Sequence, residues 1–156
     1  MSLEEMLARE AIRCTIALYV RNADTADYDR HVEVFHPEAK MIIQGGPTLE
    51  GRTAIIDAVK QGAVKRRAFD AGNFQRHNIT TCAIEMTGAV SATATTYIMV
   101  VTELGFDHTG IYIDEFVKQD DRWLIKARRA TMEWGRPDSR FVSWMGKPTP
   151  VPVKTS

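Results

Sequence analysis

The chain has 156 residues and a mass of 17.5 kDa, enough for one domain that buries roughly two thirds of its unfolded surface in a single core. Twenty basic side chains balance twenty acidic ones, which argues against a nucleic-acid footprint or a polybasic membrane patch. No apolar run approaches the ~20 residues needed to cross a bilayer, and the acidic start MSLEEMLAREA lacks the layout of a signal peptide, so the cytoplasm is the expected compartment. Met6, Leu7, Ile12, Ile16, Tyr19, Val20 and Ala23 recur at intervals of three and four, which predicts a helix over 3–24 with one buried face. Ser2 is its expected N-cap, and Glu4 and Glu5 stand in the first turn, where the helix dipole favours acids. Cys14, in this helix, and Cys82 sit far apart in apolar contexts. They read as buried thiols rather than a disulfide or a metal pair.

DTADYD restarts a short helix that runs to residue 34, HPEA ends it, and a strand follows over 40–44. Beyond a Gly-Gly-Pro turn, a third helix over 51–66 has Ile55, Ile56, Val59 and Val64 as its apolar stripe. The second half changes period. Residues 73–86, 90–104, 110–119 and 123–134 are rich in Thr, Ile, Val and aromatics, and TGAV, LGFDHTG and QDDR separate them. Consecutive strands with such short links form an antiparallel meander. Helices followed by a sheet give an α+β order, in which three N-terminal helices cover the apolar face of a curved sheet. One domain over 1–136 is expected. The proline-bearing segment 137–156 is then either a flap over the mouth of the sheet or a loose tail.

Three aspartates crowd into DTADYD. Asp27 stands where the short helix needs an N-cap, and Asp29 falls in its first turn, so both have structural explanations. Asp24 lies at the C-terminal end of the first helix, where a carboxylate opposes the dipole by roughly 0.3–1 kcal/mol and has no such explanation. Tyr19 precedes it by five residues on the apolar stripe. His77 opens the strand HNITTCAIEM out of phase with Cys82 and Ile84, so it either points to the opposite face or is re-aimed by a bulge. A carboxylate meeting an imidazole in a cavity makes a competent general base near neutral pH. His31 and His36 flank the short helix in a charged, exposed stretch, and His108 falls in a turn. The histidines of HVEVFH are five apart and do not share a helical face, so no metal is expected. No serine elbow and no phosphate loop is present, and no cofactor is expected.

On the stretches DTADYDRHVEVF, HNITTCAIE and RWLIKARRATMEWG, the chain resembles the SnoaL-like, NTF2-like superfamily, and within it the scytalone dehydratase-like branch. The resemblance implies a cone-shaped barrel, with the helices on a curved mixed, mainly antiparallel sheet. It gives Asp24 and His77 the positions of the Asp–His pair that removes a proton in that branch, and it matches Tyr19 to a tyrosine of one dehydratase there. Departures accompany it: Ile43 stands where the branch carries a tyrosine, Val100 where it often has a second acid or histidine, and Gly110 and Tyr112 where it has serine and asparagine.

The expected activity is a cofactor-independent lyase, a dehydratase or related elimination, acting on a small apolar or cyclic molecule. His77 is the base, Asp24 orients it, and Tyr19 donates a hydrogen bond or proton. Ile43, Val100, Tyr112, Met132 and Trp134 are the expected substrate-binding lining, although strand parity leaves the facing of Met99 and Val100 open. An isomerase or cyclase is the alternative within the fold and needs a second acid, Tyr112 or Glu103. A non-catalytic small-molecule-binding or assembly subunit is the alternative in another class. The sheet exterior, rich in Thr, Val and Ile, predicts a homo-oligomer, a dimer or trimer. Neither nucleic acid nor membrane is an expected partner.

Overall fold

The computed structural model describes residues 1–67, 74–139 and 141. Its first helix, α1 (Leu3–Thr25), begins where the Ser2 hydroxyl accepts a hydrogen bond from the Glu5 amide at 3.1 Å. The buried stripe starts at Ile12 and runs through Thr15, Ile16, Tyr19, Val20 and Asn22, while Met6 and Leu7 remain exposed. Cys14 is exposed as well, contrary to the expectation of a buried thiol, because two residues carry it about 200° around the helix from Ile12. Cys82 is half-buried. Ala26, with φ 57°, takes the left-handed position after α1 and sends its amide back to the last turn. Asp27 then caps α2 (Tyr28–Val32), its carboxylate accepting from the Arg30 amide at 3.3 Å.

HPEA does not end a helix. It lies inside β1 (Phe35–Ile43). The stretch between Phe35 and Lys40 is irregular in register, and it holds Pro37, which has no N–H to give a ladder. The Gly-Gly-Pro turn leads into β2 (Thr48–Glu50), a short strand absent from the sequence reading, which pairs antiparallel with β1. Helix α3 (Arg52–Arg67) buries Ile55 and Ile56 but leaves Val64 exposed.

The remaining strands are β3 (Gln75–Gly88), β4 (Ser91–Thr102), β5 (Gly105–Gln119) and β6 (Arg122–Gly135). They form a six-stranded sheet in the order β2-β1-β6-β5-β4-β3. β1 and β6 run parallel and every other pair is antiparallel, so the sheet is mixed. It is open, with β2 and β3 at its edges, and does not close on itself as a barrel. The β4–β5 connection is shorter than LGFDHTG suggests, because Gly105, at φ 95°, turns the chain early and Phe106 already pairs with Val101. Core residues Ile12, Ile16, Phe35, Met41, Ile55, Ile98, Ile125 and Met132 lie between helices and sheet, each at most 2 % exposed.

The register shifts at several places in the sheet, and three of these bulges set the facing of His77, His108 and Trp134. Thr80 is the extra residue on β3, Asp107 on β5, and Glu133 on β6. An extra residue shifts the alternation by one, so side chains that strict parity would separate come to share a face.

Candidate active site

The last turn of α1 brings Asp24 against the first residues of β3. Asp24 Oδ1 lies 2.5 Å from His77 Nδ1, and Asp24 Oδ2 accepts the His77 backbone N–H at 2.9 Å. Only 7 % of the aspartate side chain and 10 % of the histidine side chain are exposed. The bulge at Thr80 restores phase between His77 and the inward residues Cys82 and Ile84, which explains the mismatch seen in the sequence. With a carboxylate on Nδ1, the neutral imidazole carries its hydrogen there and its basic lone pair on Nε2.

His77 lines a hollow of about 580 Å³, its open mouth counted, together with Tyr19, His31, His108, Tyr112 and Phe141. Tyr19 and Tyr112 meet edge to face at 5.7 Å. Of the other expected lining residues, Ile43, Val100 and Met132 are buried in the core and do not line this hollow. Val100 faces inward and Met99 outward, which fixes the parity of β4. Trp134 is a correction. It is 47 % exposed and stacks on Phe106 at 5.1 Å on the outer face. Gly110 and Thr109, adjacent and opposite in facing, pair with Met132 and Trp134, so the extra residue Glu133 turns Trp134 outward.

Three buried polar groups escaped the sequence reading. His31, expected at the surface, is fully buried, tilted against the Tyr19 ring at 4.6 Å. Neither of its ring nitrogens has a hydrogen-bond partner among the described residues. His108 stands in β5 rather than in a turn, buried beside Asp107. Arg128 of β6 pairs with Asp114 of β5 through two hydrogen bonds of 2.7 Å, and neither side chain is exposed. Its guanidinium also lies against the rings of Tyr19 and Tyr112, at 3.9 and 4.2 Å. Parity offered a signal for this pair, because Asp114 alternates with the inward residues Tyr112 and Phe116. Burial would lower the Arg128 pKa, but the Asp114 charge outweighs it and holds the guanidinium firmly protonated. Burial also raises the Tyr112 phenol well above its ordinary value.

Burial, and after it the nearby Arg128 charge, lowers the His31 pKa to about 4. The unfolded chain, with a histidine near 6.5, therefore binds a proton that the folded chain refuses between those two values. Stability should fall as pH drops from 6.5 to 4 by on the order of 3 kcal/mol. His31→Gln should remove that component. Urea unfolding of both proteins across this pH range measures it, and equal losses in the two would rule His31 out as the source.

Residues 4–129 match the model of a family described as the SnoaL-like domain. No curated protein matches the chain in sequence. Solved structures resemble it in fold. A protein of Novosphingobium aromaticivorans provisionally named a scytalone dehydratase aligns with TM-score 0.75 and 16% identity, over 87% of this chain and 91% of that one. The hexachlorocyclohexane dehydrochlorinase LinA-type3 of Novosphingobium barchaimii gives 0.72 and 16%, over 86% and 92%. An NTF2-like protein with a cystatin-like fold from Novosphingobium aromaticivorans gives 0.74 and 22%, over 88% and 90%.

Proposed function

The chain belongs to the SnoaL-like domain family, and from that premise we propose that it is a cofactor-independent lyase acting on a small apolar or cyclic molecule. The observation that carries this reading is the 2.5 Å contact of Asp24 with His77 where His77 opens into the hollow. His77 Nε2 takes a proton from an acidified carbon, Asp24 steadies the imidazolium that results, and a leaving group departs from the neighbouring carbon. General base assistance of this kind contributes typically ~10²–10⁴ in rate. Tyr19 supplies a hydrogen bond to the substrate from the same wall. The dehydratase and dehydrochlorinase names among the structural neighbours support an elimination. Phe141 stands in the wall of the hollow, and most of the segment 137–156, expected as a flap or a loose tail, lies outside the described residues.

The second reading is an isomerase, favoured by Tyr112 in the wall of the hollow, where it could return the proton elsewhere. Glu103, the other candidate acid, is exposed at the β4–β5 turn.

The acetate ester of the benzaldehyde–acetone aldol tests the proposal. It has an acidified C–H, an aromatic ring and a good leaving group, and its elimination gives a conjugated enone read by ultraviolet absorbance. Wild type should form the enone, and His77→Ala should bind the ester without turning it over. Equal rates in the two proteins, or none in wild type, would reject the lyase reading.

Tyr97, Met99, Ile113 and Trp134 are each more than two fifths exposed on the outer face of the sheet. That apolar surface is the proposed contact between copies of the chain in a cytoplasmic dimer or trimer. Sedimentation velocity at micromolar concentration should show the oligomer, and a monomer alone would remove this proposal.

A further inference from the structure

The bulge on β5 places Asp107 and His108, adjacent in sequence, both inward, and each is 1 % exposed. Strict alternation would have sent one of them to solvent. Asp107 Oδ2 lies 2.7 Å from His108 Nδ1 and accepts the Ser139 hydroxyl at 2.6 Å. Ser139 Oγ in turn accepts the Phe141 amide at 3.1 Å. Burial pushes the Asp107 carboxyl up, but the hydrogen bonds from His108 and Ser139 outweigh it and hold the group below its ordinary value. The carboxylate is therefore charged near neutral pH. It fixes His108 as Asp24 fixes His77, with hydrogen on Nδ1 and the exchangeable site on Nε2.

The two imidazoles belong to one cross-strand row, in which His77 pairs with Val100 and Val100 with His108. Directly paired residues point to the same face, and two strand spacings separate the backbones by about 10 Å. Both rings line the same hollow. Gly135 ends the row beside His108, and a Cβ there would stand 3.4 Å from His108 Cβ and 3.0 Å from Met132 Sδ. Phe141 tilts over the His108 ring at 4.6 Å and meets the His77 ring edge-on at 6.5 Å, so one apolar side chain touches both.

We propose that His108, held by Asp107, is a second acid–base group of this site and protonates the leaving oxygen of a β-hydroxy carbonyl substrate. The assignment rests on the lyase reading and deepens it. Each imidazole has its own carboxylate, so one pair can hold a proton while the other waits to take one. His77 Nε2 takes the proton from the carbon beside the carbonyl, and the C–H electron pair becomes the new C=C bond. The C–O bond breaks with its pair on oxygen, that oxygen takes the proton from His108 Nε2, and water leaves. His77 then loses its proton to solvent and His108 regains one, so the cycle closes without a further reactant. The missing polar groups at Ile43 and Val100 are thereby answered from β5.

The test compares the free aldol of benzaldehyde and acetone with its acetate ester, which give the same enone and differ only in the group that departs. The alcohol needs a proton on its oxygen to leave, whereas acetate hardly does. The readout is the ratio of alcohol to ester rates. In His108→Gln that ratio should fall ~10²-fold or more. Asp107→Asn should lower the same ratio by less, as expected of a positioning residue. An unchanged ratio overturns the assignment, and so does a parallel loss of both reactions in both variants, which marks a structural role. A wild type that eliminates acetate but not water overturns this assignment alone and leaves the lyase reading standing. A wild type that does neither overturns both.

Discussion

Replacing Asp24 by asparagine should slow ester elimination by ~10²–10⁴, whereas Asp27→Asn should leave the rate unchanged. The two positions lie three residues apart, and the structure gives them different work. Asp27 Oδ1 accepts the Arg30 amide as the N-cap of α2, and asparagine caps a helix almost as well. Asp24 holds both the ring and the backbone N–H of His77. An amide there preserves the shape and can still accept from the backbone. It loses the charge that stabilises an imidazolium, and its NH₂ edge favours the wrong tautomer. Carboxylate-to-amide changes behind a catalytic histidine cost up to about 10⁴ in rate for these reasons. Loss of activity in Asp27→Asn with none in Asp24→Asn would show that the wrong carboxylate has been chosen. No change in either would remove the dyad from the chemistry.

Asp114→Ala should destabilise the fold by roughly 3–5 kcal/mol, read as a lower urea midpoint at unchanged slope. Asp114 and Arg128 are direct cross-strand partners on β5 and β6 with no exposure. Removing the carboxylate leaves a buried guanidinium with only the faces of Tyr19 and Tyr112 for company. Its Nη1 already lacks a partner among the described residues, and without the carboxylate Nε and Nη2 lose theirs as well. The pair itself is weak evidence for stability, because two buried charges cost desolvation that their attraction only roughly offsets. The double change Asp114→Leu with Arg128→Met should therefore cost far less than the single one. A single variant as stable as wild type would mean that the cavity admits water to Arg128.

What the sequence determined by itself is local. The period of three and four in α1, the Ser2 and Asp27 caps and the strand-rich second half are each written within a few residues, and all were legible. Asp24 stood out for a similar reason, as a carboxylate at a helix end that the dipole disfavours. His77 stood out because it broke the phase of its own strand, a mismatch that the bulge at Thr80 resolves.

The facing of the later strands was not legible, because one extra residue reverses every side chain beyond it. Bulges at Asp107 and Glu133 turned His108 and Asp107 inward and Trp134 outward, and nothing in the residues themselves announces a bulge. HPEA shows the same limit, since pairing with β6 on either side of it, Phe35 with Ile125 and Lys40 with Ala127, makes that proline-containing stretch part of a strand. The burial of His31 depends on Tyr19 and Phe35, which pack around a five-residue helix whose own sequence is polar. Tertiary contact alone decided which of the polar side chains surround the hollow. The Asp24–His77 and Asp114–Arg128 pairs join separate elements, α1 with β3 and β5 with β6, and such separations leave no trace in local periodicity.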